Sequence, residues 1–163
     1  MSRVVLRISG RATGDEATLI PKVLHMYSQY AESQGWRIEL KPSGGPGWGP
    51  LKEVVALING EDVYRKLKHE SGVHRVQWVP PTEQQGRVFT SKVLVAVAPE
   101  ADELAATGVS AYTGTIRTYN FQQNRLTDHR VGLTWYELDL ILDGKLDPII
   151  QALAALQGGA PDA

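Results

Sequence analysis

The 163-residue chain is 42% hydrophobic and 21% charged, with a net charge of −1 and no cysteine. Such a composition describes one soluble globular domain, or two merged lobes, long enough to bury roughly two thirds of its unfolded surface. It excludes disulfides, thiolate-bound metals and a uniformly basic nucleic-acid binder; lack of cysteine favours a cytosolic setting, and any nucleic-acid contact must come from local patches.

In chain order, Val4 to Ser9 alternates apolar and polar residues and predicts a strand, not the apolar core of a signal peptide. Thr13-Gly14-Asp15-Glu16 has capping-box form, with Glu16 placed to reach back to the helix start. A helix is expected from there to about Ser33, with Leu19, Val23, Met26, Tyr27 and Tyr30 on one face, a bend at Pro21 and a stop at Gly35. Trp36 to Leu40 predicts a strand, Lys41 to Pro50 a Gly/Pro-rich loop, and Lys52 to Ile58 another strand. Glu61 to His69 is a short polar helix. Gly72 to Val79 and Lys92 to Val97 are strands joined by a polar tip, Pro80 to Ser91.

Ala98 to Gly114 is acidic and Ala-rich, then rich in Gly, Ser and Thr, and reads as a surface connection. Leu133 to Leu142 is apolar and ends at Gly144. Asp147-Pro148 starts a helix carrying Ile149, Ile150, Leu153 and Leu156, and residues 157–163 read as a frayed tail. The expected fold class is α+β, a largely antiparallel sheet with packed helices. No uninterrupted apolar run approaches the ~20 residues of a membrane span, so no membrane partner is expected. The four histidines lack metal-ligand spacing, and no cofactor is expected.

Seven collinear blocks carry a resemblance. They are Gly14-Asp15-Glu16-Ala17; Met26-Tyr27 with Tyr30-Ala31-Glu32 and Gly35-Trp36; Gly49-Pro50-Leu51-Lys52-Glu53-Val54; His74 to Ser91; Ala98-Pro99-Glu100; Ile116 to Arg130; and Leu138 to Asp147. Together they resemble the decoding core of bacterial class I peptide chain release factors of the type that reads UAA and UAG. The resemblance covers Val4 to Leu156. It implies that the whole chain, 1–163, is one compact decoding core without the family's N-terminal helical domain. It also implies that residues 99–115 replace the catalytic domain. No Gly-Gly-Gln occurs; the Gly-Gly pairs are followed by Pro46 and Ala160.

What the resemblance implies for single residues is specific. Pro80-Pro81-Thr82 matches the Pro-x-Thr tripeptide whose threonine hydroxyl reads stop-codon bases, a task suited to a group that donates and accepts. Gln77 and Thr90 match positions that contact the third base, and polar groups of this kind suit base edges of single-stranded RNA. Phe89 stands where the family has a stacking histidine; the ring either offers its face to a base or tucks under the loop. Glu16 matches the acid that helps recognise the first uridine, alongside its capping role. Thr13 and Arg11 replace usual glycines, and a Cβ at Thr13 narrows the approach to the codon. Trp78 reads either as a stacking or docking residue or as a strand aromatic.

Arg65, Lys66, Lys68, His74, Arg75, Arg87 and Lys92 cluster around the decoding segment, and Arg117, Arg125 and Arg130 mark the later block. Of these, Arg75, Arg87, Lys92, Arg117, Arg125 and Arg130 are the candidate ribosomal RNA contacts. Asp128-His129-Arg130 has no nucleophile at triad spacing. The expected partner is the ribosome, through small-subunit rRNA and the mRNA stop codon. The function expected is action at the decoding centre in termination or its regulation, without peptidyl-tRNA hydrolysis. The alternative is the stop-codon-recognition half of a split release factor, with a separate hydrolytic protein as partner.

Overall fold

A computed structural model describes residues 2–11, 14–41, 51–100 and 114–159. The alternating segments form one eight-stranded sheet: β1 (Ser2–Arg11), β2 (Arg37–Lys41), β3 (Leu51–Gly60), β4 (Gly72–Trp78), β5 (Phe89–Pro99), β6 (Thr115–Asn120), β7 (Arg125–Asp128) and β8 (Leu133–Tyr136). Their order is β2-β3-β1-β5-β4-β6-β7-β8. Neighbours are antiparallel except β4 and β6, which run parallel. With helices α1 (Leu19–Ser33), α2 (Val63–Leu67), α3 (Leu138–Leu142) and α4 (Asp147–Gly159), this is the expected α+β class. No helix among the described residues is long and apolar enough to cross a membrane.

Each predicted strand is present. The β1 strand extends beyond its reading because Arg11 still pairs with Leu51. Two expectations for α1 need correction. A 3-10 turn, Asp15–Thr18, precedes the helix, Gly14 is its N-cap, and no side chain caps it; Glu16 faces Arg11 at 3.7 Å. Because α1 starts at Leu19, Pro21 falls in the first turn, where a missing N–H costs no helical bond and forces no bend. Thr13 and the Lys41-to-Pro50 loop beyond Lys41 lie outside the described residues, as do 101–113. The apolar stretch Leu133 to Leu142 divides into β8 and α3, turning at Glu137, whose φ is 64°.

The core lies between one sheet face and the helices. Val4, Leu6 and Ile8 of β1 and Val93, Val95 and Val97 of β5 alternate inward against Leu19, Ile20, Val23, Met26 and Tyr27 of α1. Burying side chains of this size contributes about 1.5–3 kcal/mol each. Helices α3 and α4 add Leu138, Ile141, Ile149 and Leu153. Gly144 is required where the chain leaves α3: its φ is 108°, and a Cβ would stand 2.6 Å from Gln29 Cβ.

Inside this core sits a charged network. Arg117 of β6 is fully buried. Its two terminal nitrogens donate to the Glu70 carboxylate at 2.5 and 2.8 Å, and its Nε donates to Asp128 at 3.1 Å. Tyr27 donates to Glu70 at 2.9 Å, tying in α1. Arg130 donates to Asp128 and to the His69 carbonyl. Two carboxylates thus face two guanidinium groups, and the network is neutral. Burial alone would raise the Glu70 pKa, but Arg117 outweighs it and holds the carboxyl below its usual range; Asp128 is likewise held low, against burial, by Arg130 and Arg117.

His74 borders the network. Its Nε2 lies 2.8 Å from the Glu70 carbonyl, which can only accept, so Nε2 carries the proton and Nδ1 accepts from the Tyr119 hydroxyl at 2.8 Å. Burial, then the Arg117 charge, pushes its pKa down to about 4.

Breaking one partner leaves buried charge behind. Arg117→Met should cost about 3–5 kcal/mol in urea unfolding, and combining it with Glu70→Gln should cost less than the sum of the two. A simple additive result would contradict the pairing. Stability should also depend on pH. The unfolded chain binds a proton at His74 below about pH 6.5, whereas the folded chain resists until about 4. Stability is therefore full above 6.5 and falls toward pH 4 by about 3 kcal/mol from this group. The carboxylates act in the same direction at lower pH. His74→Gln should flatten the curve between pH 6.5 and 5.

Candidate functional site

The tip between β4 and β5 is built by its own residues. Glu83 N–H donates to the Pro80 carbonyl at 3.0 Å, closing a turn with Pro81 at its second position, where a fixed φ favours turning. The Glu83 carboxylate then accepts from Gln85 N–H at 2.9 Å and Arg87 Nε at 3.0 Å. The Gln85 N–H, with Arg87 behind it, holds the Glu83 carboxyl below its usual pKa. Gly86, with φ 70°, returns the chain toward β5.

Sheet register decides what meets this tip. Strand β1 runs antiparallel to β5 with Ser9 opposite Leu94, so its last residue and the Gly14–Glu16 turn emerge at the same end of the sheet. There the Asp15 Oδ2 accepts from the Thr82 N–H at 2.9 Å and from the Thr82 hydroxyl at 2.5 Å. An open cleft of about 420 Å³ results, lined by Arg11, Gly14, Asp15, Glu16, Pro80, Thr82, Glu83, Arg87 and Phe89. The two arginines are each drawn to a glutamate, Arg11 to Glu16 and Arg87 to Glu83.

Five of the sequence candidates therefore share one cleft: the codon-reading candidates Pro80, Thr82, Glu16 and Phe89, and the rRNA-contact candidate Arg87. Pro81 is exposed on the turn beside it, and Thr13 lies outside the described residues. Phe89 is 43% exposed and does not tuck under the loop. Gln77 and Thr90 are direct cross-strand partners and do not line the cleft. Gln77 accepts from Asn120 at 3.4 Å. Trp78 is a core residue: it is buried, donates to Ser91 at 3.1 Å and meets Phe121 edge-on, so it has no free face for docking.

The basic candidates divide by burial. Arg87 and Lys92 are exposed, while Arg75 and Arg125 are half-buried. Arg75 stands directly opposite Lys92 across β4 and β5, a like-charge pair that costs stability unless an anion relieves it. Arg117 cannot be a phosphate contact, because it is sealed and both its faces are taken by Glu70 and Asp128. Arg130 is committed to Asp128 and the His69 carbonyl, with its side chain 27% exposed. His74 is buried too. Sequence reading counted these charges without their carboxylate partners; Glu70 lies 47 residues from Arg117. It also missed Asp15, whose Thr82 contact spans 67 residues; its place between Gly14 and Glu16 was the available signal. Among the described residues no cluster of His, Asp and Glu could hold a metal.

Comparison with known proteins gives a consistent picture. The PCRF domain model matches residues 1–95. Peptide chain release factor 1 from Streptococcus mutans and from Streptococcus pyogenes is 37% identical to the chain, over 92% of it. The chain spans 65% of the length of these relatives. The alignment runs over 233 positions, whereas 92% of 163 residues is about 150, so about 80 positions of the relatives have no counterpart here. Among solved structures, RF2 of Thermus thermophilus matches with a TM-score of 0.81 and 23% identity over 98% of this chain and 69% of that one, a likeness of fold. The chain belongs to the PCRF domain family and is a relative of bacterial peptide chain release factors.

Proposed function

We propose that the protein binds the ribosome at the small-subunit decoding centre and acts in translation termination or its regulation, without hydrolysing peptidyl-tRNA itself. The observation that carries this reading is the cleft: the Pro80-Pro81-Thr82 turn, Phe89 and the Gly14–Glu16 turn converge at one end of the sheet. Its groups suit base edges of single-stranded RNA, with an exposed ring for stacking and hydroxyl and carboxylate oxygens for hydrogen bonds. Arg87, Lys92, Arg75 and Arg125 remain for phosphate contacts. Arg117 is withdrawn from that set and Arg130 is a secondary member.

The absence of hydrolysis is supported by the other end of the sheet. The Gly-Gly-Gln tripeptide does not occur in the sequence. In this reading the positions of the relatives without a counterpart fall between Glu100 and Ile116, where two of the resembling blocks, Ala98-Pro99-Glu100 and Ile116 to Arg130, follow one another closely in the sequence. Strands β5 and β6 flank β4, and Thr115 is level with Leu94, so Pro99 stands two strand spacings to the side of Thr115 and five residues further along, roughly 20 Å away, at the end of β4 opposite the tip. A short connection closes that distance as readily as a whole domain does.

Sedimentation with ribosomes carrying a stop or a sense codon in the A site tests the binding. Stop-dependent binding that weakens with salt is expected; no binding at either salt concentration would overturn the reading. Peptide release should be absent with the purified protein. Release that appears only on adding cell extract would favour the split release factor instead. Two variants separate the contacts. Lys92→Ala should weaken binding about equally for all codons and lower the salt dependence. Thr82→Val should remove codon dependence and cost about 0.5–1.5 kcal/mol in folding stability, since it loses the hydroxyl contact to Asp15 at an exposed position.

A further inference from the structure

We infer that the sheet face turned away from the helices, over β4 to β8, is a binding surface for the backbone of a single RNA strand, with phosphates on Arg75, Lys92 and Arg125 and a base on Tyr136. It needs no codon to be read at the tip, so it stands apart from the function proposed above. Residues directly paired in a sheet share a face, and register lays two rows across this one. The first is Lys92, Arg75, Thr118, Thr127 and Thr134, one residue from each strand. Two residues nearer the tip, the second is Thr90, Gln77, Asn120, Arg125 and Tyr136. Side chains meet along both rows: Arg75 Nε donates to Thr118 at 3.1 Å, the Thr127 and Thr134 hydroxyls lie 2.8 Å apart, and Asn120 donates to Gln77 at 3.4 Å.

Neither row contains an acidic residue, although the chain as a whole carries a net charge of −1. Elsewhere on the surface Arg3, Arg7, Arg11 and Arg65 each face a carboxylate. Among the described residues none pairs with Arg75, Lys92 or Arg125. Only the Nε of Arg75 is engaged, and its terminal nitrogens are not sealed from solvent. Concentrated positive charge without counter-charge calls for an anionic partner. Arg125 stands two strands across and two residues along from Arg75, roughly 12 Å away. That spacing suits two phosphates of one strand with a nucleotide or two between them. The threonine hydroxyls and the Gln77 and Asn120 amides both donate and accept, which suits phosphate oxygens and ribose hydroxyls. Tyr136, 68% exposed at the sheet edge, offers a ring on which a base of any kind can stack.

The probe is a short oligouridylate added to the isotope-labelled protein without ribosomes, followed by nuclear magnetic resonance. Amide shifts should gather on β6 to β8, at Thr118, Arg125 and Tyr136, and binding should weaken with salt. Arg125→Ala should lower the slope of log affinity against log salt by about 0.7. Tyr136→Ala should weaken binding roughly fivefold or more. Lys22→Ala, which removes an exposed cation from α1 in the other layer, should leave both quantities nearly unchanged. Urea unfolding of each variant checks that it folds. No binding, shifts confined to the tip, or equal losses in all three variants would overturn the inference. So would a polyglutamate peptide that displaces the RNA at equal charge concentration, since the face would then be a site for acidic protein. Ribosome binding without RNA binding here would sink this inference and leave the proposed function standing; RNA binding here without ribosome binding would do the reverse.

Discussion

The fold depends on one buried guanidinium. Arg117 lies in β6, the strand that joins the sheet in parallel, and it is reached by Glu70 from the turn before β4, by Asp128 from β7 and, through Glu70, by Tyr27 of α1. Charges without partners cannot be buried at this depth, so the four elements have one arrangement that satisfies all of them. A slip of β6 by one residue along β4 would turn both Tyr119 and Arg117 to the other face of the sheet, so the network adds the cost of unpaired charge to that of lost apolar packing.

That fixed register has a consequence at the tip. Strand β4 starts beside Arg117 and ends at Trp78, which is itself anchored by Ser91 and Phe121. The Pro80–Glu83 turn therefore leaves a stiff support, and Glu83 stiffens the turn from within. On the other side, β1 delivers Asp15 and Glu16 to the same end of the sheet. The Asp15–Thr82 contact joins two exposed segments that are separately positioned by the core. Strand β5 thus ends, and β6 begins, toward one end of the sheet, while the groups of the proposed codon-reading cleft lie at the other.

Much of this was legible in the sequence. Alternation placed β1 to β5, and the Asp147-Pro148 start and the Gly35 stop marked helix ends that the structure has. Strands β6 and β7 were not assigned, because Ile116 to Arg130 lacks a clean apolar–polar alternation: its core-facing positions mix Tyr119 and Leu126 with the charged Arg117 and Asp128. A charged residue inside a strand reads as solvent-facing unless its partner is known, and here Glu70 is remote. The same blindness placed Arg117 among candidate phosphate contacts. Short-range chemistry was readable at the tip, where Pro81 signals a turn. The Asp15–Thr82 contact was not, since nothing in either local pattern points to the other.

The decoding-centre account can be tested directly by proximity. The chain has no cysteine, so Gln84→Cys at the exposed tip provides a unique site for an iron chelate that generates hydroxyl radicals. On ribosomes with a stop codon in the A site, the account predicts cleavage of small-subunit rRNA around that codon. Cleavage elsewhere on a ribosome that binds the protein, or none at all, would contradict it.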